Sequence, residues 1–204
     1  MQFKFSVVAA AVLTTIVAPG VAFVPPALAD GLSSMAMGTP LSAPKVSRLA
    51  GASAARLICS DDGETVTING MQFSASALGN GVEGEISCHW FVAGGSAWTE
   101  VDRQQLADVA VKATLNFVAP SPGKEPLLYE IVGSGAPTDY GAAVRSITAS
   151  YGAPQSSGAT GAGPQTLWQT AKLKVIVTQR DSGSGAMQID YLDNALEEIA
   201  LRLY

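Results

Sequence analysis

Apolar and polar residues alternate over long stretches of this chain, and a period of two is typical of half-buried β-strands. The clearest stretch is 109–117, where the odd positions are apolar and polar residues such as Lys112 and Asn116 lie between them. After a Pro-rich turn, the run 127–132 is again mostly apolar. We therefore predict that these two stretches form neighbouring antiparallel strands.

Two hairpins are predicted where turn residues separate alternating runs. Asn69-Gly70 lies at the centre of 64–74, and both residues tolerate the positive φ angles that a two-residue hairpin turn requires. A second hairpin is predicted over 172–191, with its turn in the Ser- and Gly-rich segment 181–185. The period of two therefore accounts for much of the second half of the chain.

Helical spacing of apolar residues occurs in two places. In 138–151 the apolar positions recur every three or four residues, and Gly152 then provides a left-handed stop. The last segment, 192–203, also carries a stripe of apolar residues. Between the first helix and the next strand, 153–165 is rich in Gly and Ser, a composition that predicts a mobile loop.

Together these elements predict the fold class. Strands outnumber helices, and the helices have one apolar side each, so we predict an α+β fold with an antiparallel sheet of about five to seven strands. Two helices are expected to pack on one face of that sheet. We assign 56–204 to a single globular domain.

The first 29 residues are predicted to be a secretory signal peptide. Lys4 precedes an apolar run at 5–17, and Ala27-Leu28-Ala29 has the small residues of a cleavage site. The alternative is a membrane anchor, but the run is shorter than the ~20 residues that a spanning helix needs. We therefore expect a secreted or periplasmic protein that is soluble and not integral to the membrane. Residues 30–55, rich in Ala, Ser, Gly and Pro, are predicted to form a flexible leader.

The charge of the chain narrows the classes of partner. There are 12 Lys and Arg residues against 17 Asp and Glu residues, which gives a formal net charge of −5 at pH 7. Nucleic acids and anionic lipids are bound by clustered Lys and Arg, whereas the basic residues here are scattered. We expect an unidentified protein or envelope component as the partner, and no nucleic acid.

Two cysteines, Cys59 and Cys88, are the only ones in the sequence. In an exported protein an even number of cysteines favours a disulfide, so we predict that these two are bonded to each other. Two buried free thiols are the structural alternative. A reactive Cys88 with His89 as its base is the functional alternative, but adjacent residues on a strand point to opposite faces.

Few residues in the sequence are suited to holding a metal or a cofactor. His89 is the only histidine, so a site with two imidazole ligands is excluded. The acidic run 61–64 offers oxygen ligands, but it lacks the spacing of a calcium-binding loop and is typical of a solvated turn. No phosphate-binding Gly-rich loop precedes a helix. We predict no cofactor.

A hydrolase is the catalytic alternative. The sequence has no Gly-x-Ser-x-Gly motif, and a histidine-dependent hydrolase would need His89 to meet an acid such as Glu83, Asp102 or Asp190. Glu83 and Glu85 are two residues apart, about 7 Å along a strand, which suits paired carboxylates in glycoside hydrolysis. Such pairs are common in acidic proteins. We therefore assign no catalytic residues.

The tryptophans are candidates for partner contacts because they combine apolar area with a hydrogen-bond donor. Trp90 is expected in the core, and Trp98 and Trp168 are the possible contact residues. The sequence thus predicts a non-catalytic exported protein, a macromolecule-binding or envelope accessory module. A small-ligand carrier with an apolar cavity is the main alternative.

Overall fold

A computed structural model describes most of the chain beyond the N-terminal segment. The described residues are 32, 36–45, 55–94, 97–161, 163–180 and 185–203. The predicted signal peptide, 1–29, lies outside them, as does much of the predicted leader, 30–55. Within the described part of the chain, no helix combines the length and the apolar composition that crossing a bilayer requires.

The described residues form twelve strands and three helices, with short 3₁₀ turns at Ala75–Leu78 and Pro137–Asp139. The strands are β1 (Ala55–Cys59), β2 (Thr65–Ile68), β3 (Met71–Ser74), β4 (Glu85–Gly94), β5 (Ala97–Glu100), β6 (Gln104–Leu106), β7 (Val109–Val118), β8 (Leu127–Gly135), β9 (Ser156–Thr160), β10 (Gly163–Gln169), β11 (Leu173–Gln179) and β12 (Met187–Asp193). The helices are α1 (Ser42–Lys45), α2 (Tyr140–Tyr151) and α3 (Asn194–Ala200).

All twelve strands belong to one mixed sheet. Its order is β3-β2-β5-β4-β7-β8-β12-β11-β10-β9, with β1 paired to β4 and β6 paired to β7. The β2–β5 pair is parallel and the other pairs are antiparallel. The predicted sheet of five to seven antiparallel strands is therefore wrong in both size and strand direction. The sequence did not predict several short strands, including β5, β6 and β9. They contain too few apolar residues to show an alternation of apolar and polar positions.

Three pairings predicted from periodicity are confirmed. β2 and β3 form the first hairpin, with positive φ at Asn69 and Gly70. β11 and β12 form the second, and β7 pairs with β8. The segment expected to be a mobile loop instead contains β9, whose main chain pairs with β10 even though all five of its side chains are exposed. Main-chain pairing, rather than side-chain burial, defines that strand.

The two longer helices lie on opposite faces of the sheet, which corrects the prediction that both pack on one face. Ile147 of α2 belongs to the main core, a large cluster that also contains Ile189 of the central sheet. Leu196 of α3 packs instead with Val118 and Tyr129. Val118 follows a main-core residue, Phe117, and neighbouring strand residues point to opposite faces.

The predicted disulfide between Cys59 and Cys88 is confirmed. These residues are directly opposite each other on β1 and β4, with a Cα–Cα distance of 4.0 Å, and both are fully buried. The bond therefore ties the outer strand β1 to the centre of the sheet. Because the sulfurs are bonded to each other, neither cysteine provides the thiolate that a reactive cysteine needs.

Candidate functional site

Two surfaces outside the main core concentrate functional side chains. The first, called the polar face here, lies on the side of the central strands opposite the main core. Main-core residues alternate with polar ones along β4 and β7, so the polar side chains gather on the other face. The residues of the polar face are Ser87, His89, Glu100, Lys112, Thr114, Asn116, Glu130, Gln188 and Asp190.

His89 is held by two neighbours on the polar face. Its Nδ1 lies 2.5 Å from Glu100 Oε1, and its Nε2 lies 3.2 Å from the hydroxyl of Thr114, the residue directly opposite it on β7. Lys112 Nζ lies 2.6 Å from the other oxygen of Glu100. Burial opposes ionisation of Glu100, but the bonds and charges of His89 and Lys112 outweigh it and hold its pKa below the usual range.

The order Thr114, His89, Glu100 places a hydroxyl, an imidazole and a carboxylate in line, as in a hydrolase triad. Catalysis of acyl transfer also needs donors that stabilise an oxyanion. Thr114 is paired on both sides in the sheet, so the described amides around it bond to neighbouring strands rather than to a substrate. In the described part of the chain, this arrangement fixes His89 between two strands, and the main chain at Thr114 is paired with β4 and β8.

Glu130 is the most perturbed carboxylate of the polar face. Asn116 Nδ2 donates to it at 2.7 Å, and the Ser87 hydroxyl in turn donates to the side-chain oxygen Oδ1 of Asn116 at 2.8 Å. Burial raises the pKa of Glu130 to about 6, with further contributions from the nearby negative charges of Asp190 and other acids. Burial also raises the pKa of Asp190, which accepts a hydrogen bond from Gln188.

Replacing Glu130 by Gln is expected to stabilise the fold at alkaline but not at acid pH. Because its pKa rises from 4.5 to about 6 on folding, ionising Glu130 destabilises the folded state as pH increases through that interval. The full cost above pH 7 is about 2 kcal/mol, at roughly 1.4 kcal/mol per pKa unit. Gln keeps an acceptor for Asn116 and removes the charge. Urea unfolding at pH 4.5 and pH 8 measures the difference.

Glu198→Gln is the matched control, because Glu198 is exposed on α3. We expect it to change the free energy of unfolding by less than about 0.5 kcal/mol at either pH. An equal gain for Glu130→Gln at both pH values would show that the charge of Glu130 does not oppose folding.

His89 is bonded to Glu100 rather than to an acid singled out in the sequence. Asp190 shares the polar face but lies on β12, three strands away from β4. Glu83 lies before β4, not on it, so it shares no strand face with Glu85. Glu85 is buried and accepts hydrogen bonds from Tyr129 and Asn80, both at 2.8 Å. Asp102 is exposed beyond β5.

The acidic run 61–64 has a structural role at the turn after β1. Asp62 Oδ2 accepts a hydrogen bond from the amide of Cys59 at 2.9 Å. The one group of three potential metal ligands in the described part of the chain consists of Cys59, Asp61 and Asp62, and its sulfur is committed to the disulfide. These residues therefore support the interpretation as a turn rather than as a calcium site.

The second surface, called the edge patch here, lies at the β3 end of the sheet and is apolar. Met71 is 60% exposed and Phe73 is 37% exposed on β3, the strand at one end of the sheet order, with β9 at the other end. Phe73 is opposite Val66, which is opposite Trp98 on β5, and residues opposite each other share a face. The edge patch consists of Arg56, Ile68, Met71, Phe73 and Trp98.

Arg56 is the residue of the edge patch that β1 contributes, and it stacks on Trp98. Its guanidinium carbon lies 4.7 Å from the centroid of the Trp98 ring, and its Nη2 lies 2.6 Å from Glu64 Oε1. Beneath them, Val66, Ile58 and Phe91 form a small, fully buried core. The patch is therefore supported from below while Met71 and Phe73 remain open to solvent.

The other two tryptophans belong to the main core. Trp168 is 2% exposed, and its indole Nε1 donates to the carbonyl oxygen of Gly152 at 3.1 Å. Trp90 is 1% exposed, as expected from its position on β4. Of the two tryptophans considered as contact residues, Trp98 is half-buried against the small core under the edge patch, whereas Trp168 anchors the chain after α2 against β10.

The residues that the sequence did not single out include Glu100, Met71, Phe73 and Arg56. Glu100 had a usable signal: antiparallel pairing of β4 with β5 makes Glu100 the partner of Phe91, which is two residues from His89 and shares its strand face. Met71 and Phe73 belong to a hairpin that was predicted, but their pattern did not reveal that this hairpin lies at an edge.

Comparison with known proteins gave no match to a family model, to a curated protein or to a solved structure.

Proposed function

We propose that the protein is an exported, non-catalytic binding module that contacts a protein or another envelope component through the edge patch. The observation that carries the proposal is the exposure of Met71 and Phe73 on an outer strand beside Trp98 and Arg56. Exposed clusters of large apolar side chains mark interaction sites in soluble proteins. Trp and Arg are enriched among the residues that dominate binding energy.

The position of β3 suggests how a partner would bind. An outer strand carries main-chain N–H and C=O groups that can pair with an added extended segment, and alternate side chains then provide specificity. Met71 and Phe73 are two residues apart, so they lie on the same side of β3. We propose that an extended segment of the partner lies along β3 and covers these two side chains.

Export is supported by two features of the chain. The disulfide between Cys59 and Cys88 is the type of bond that persists in oxidising compartments. The first 29 residues have the charged start, apolar run and small-residue box of a signal peptide. We infer that the binding module acts in the periplasm or outside the cell.

Replacing Met71 and Phe73 together by Ser is expected to weaken partner retention by about tenfold or more. The reason is that truncating buried contact residues commonly costs about 2 kcal/mol of binding energy. The measurement is affinity capture from the native envelope fraction on immobilised protein, with quantitative mass spectrometry of what is retained. The stability of the variant should fall little, because both side chains are exposed.

Leu201→Ser with Leu203→Ser is the matched control. These residues are 63% and 42% exposed and lie at the end of α3, away from the edge patch. A partner that is retained by the wild type and by this control, but not by the Met71 and Phe73 variant, supports the proposal. Equal retention on all three proteins, or retention of nothing specific, would overturn it.

The carrier and hydrolase alternatives have weaker support. A carrier is expected to have an apolar cavity between sheet and helix, whereas Ile147 of α2 and Trp168 of β10 belong to one packed cluster of side chains in that region. The contact of His89 with Glu100 favours the hydrolase alternative. However, the described main-chain amides near Thr114 are paired in the sheet and are not free to stabilise an oxyanion. The binding module therefore accounts for more of the surface.

A further inference from the structure

Two buried polar atoms of the main core have no hydrogen-bond partner among the described residues. One is the indole Nε1 of Trp90, a donor, and the other is the side-chain oxygen of Gln104, an acceptor. The two residues are 1% and 7% exposed. Burying such a group unpaired costs about 1 to 3 kcal/mol, and native proteins pair nearly all of them.

The two unpaired atoms belong to the same part of the main core. Gln104 on β6 is directly opposite Val111 on β7, so it shares the face of that main-core residue. Trp90 on β4 directly follows His89, the last residue of β4 that pairs with β7, whose partner is Thr114. Because β8 pairs along the other edge of β7, β4 and β6 lie along the same edge, which brings Trp90 and Gln104 to the same region of the main core.

Main-chain bonds connect the two residues and fix the orientation of the amide. The amide of Val101 donates to the carbonyl oxygen of Trp90 at 2.8 Å, and Gln104 Nε2 donates to the carbonyl oxygen of Val101 at 3.4 Å. A carbonyl oxygen accepts only from the NH₂ end of the Gln104 amide. The Gln104 oxygen is therefore the end that is left for another donor.

We propose that a hydroxyl group is bound inside the main core, where it accepts a hydrogen bond from the Trp90 indole and donates one to the Gln104 side-chain oxygen. An O–H group is the simplest group that satisfies a donor and an acceptor at once. A buried water molecule and the hydroxyl of a small organic alcohol share this chemistry, and buried waters commonly serve groups that lack protein partners. The site is independent of the edge patch.

The three indole N–H groups of this chain make the proposal directly testable by NMR. In the ¹⁵N-labelled protein, the indole proton of Trp90 is expected to show cross-relaxation with a long-lived hydroxyl or water proton. Trp168 is the internal control, because its indole is equally buried and donates to Gly152. Trp98, which is half-buried, is the reference with partial access to solvent. We expect the Trp90 signal to exceed the Trp168 signal severalfold.

The variant Gln104→Met removes the acceptor and keeps a similar volume. It is expected to reduce the Trp90 cross-peak severalfold while the Trp168 indole signal stays unchanged. If this variant does not fold, the wild-type spectrum alone decides, because the presence of the cross-peak does not depend on the variant. An absent cross-peak in the wild type, or one that persists undiminished in the variant, would overturn the proposal.

Two preparations distinguish the sources of the hydroxyl. Protein isolated directly from the producing cells is compared with protein that has been unfolded and refolded in buffer without organic solutes, with the disulfide intact. A cross-peak that survives refolding identifies water. Cross-peaks to carbon-bound protons that disappear after refolding identify an organic alcohol, which native mass spectrometry should then detect in the first preparation only.

Discussion

Replacing Cys59 and Cys88 together by Ala is expected to lower the free energy of unfolding by about 3 to 4 kcal/mol. The bond closes a loop with a sequence separation of 29, and the chain-entropy model of a disulfide gives a loss of this size. Losses of a few kcal/mol are a large share of the stability of a single domain. Chemical denaturation of the oxidised wild type and of the variant, at the same pH, measures the difference.

A reductant provides the control for this experiment. Both cysteines are fully buried, so dithiothreitol is expected to reduce the wild type only when denaturant opens the structure, and then to bring its unfolding midpoint to that of the variant. The variant itself should be unaffected by the reductant. A loss below about 1 kcal/mol would show that pairing of β1 with β4 does not depend on the bond.

Phe91→Ala is expected to lower the free energy of unfolding by about 3 to 5 kcal/mol. Phe91 is fully buried in the small core with Ile58 and Val66, and truncating a buried Phe removes its burial energy and leaves a cavity. This core supports the strands that carry the edge patch, so local protection from hydrogen exchange in β2 and β5 should fall as well. Thermal and urea unfolding measure the global effect.

Phe73→Ala is the matched control, with the same change in side chain at an exposed position. It is expected to cost less than about 1 kcal/mol, because Phe73 is 37% exposed on an outer strand. The two substitutions therefore test two different roles. Phe91→Ala tests a residue that contributes to folding beneath the edge patch, and Phe73→Ala tests a residue that contributes to binding. Similar losses at both positions would show that Phe73 is also a core residue.

The local strand pairings and the disulfide were predictable from the sequence. Asn69-Gly70 defines its hairpin because both residues adopt positive φ, and the alternation along β7 follows from a sheet with one face in the main core. The bond between Cys59 and Cys88 was predicted because they are two cysteines in a protein that is expected to be exported. These signals depend on residues close in sequence or on composition.

The size of the sheet was not predictable in the same way. β9 carries no buried side chain and is defined by main-chain bonds to β10, so a composition rich in Ser and Gly gave no signal for it. The parallel contact of β2 with β5 joins strands that are separated by β3 and β4 along the chain. Alternation does not specify which strands meet at such distances.

One of the residues that pack against α3 lies at an irregularity in the sheet. A register shift between Asn116 and Phe117 leaves Tyr129 between the partners of these two residues, Glu130 and Leu128. Tyr129 packs with α3 on the face opposite α2. An apolar stripe on a helix shows that the helix packs against the sheet, but not on which face it does so.

The candidate contact surface was predicted only in part. Trp98 was considered a contact residue because of its type and its position after a turn. Its exposed neighbours Met71 and Phe73 belong to the alternating pattern of a predicted hairpin, and alternation does not reveal that β3 is an end strand of the sheet. The position of Glu100, by contrast, could be predicted from antiparallel pairing of β4 with β5. That pairing puts Glu100 opposite Phe91, two residues from His89 on β4.

Site-specific photo-crosslinking in the producing cells is the most direct test of the central claim that the edge patch is the contact surface. A photoreactive phenylalanine analogue is introduced at Phe73, and in a separate variant at Leu203, the exposed residue after α3. We expect a discrete crosslinked species from position 73 and none from position 203. No crosslinked species from position 73, or the same species from both positions, would contradict it.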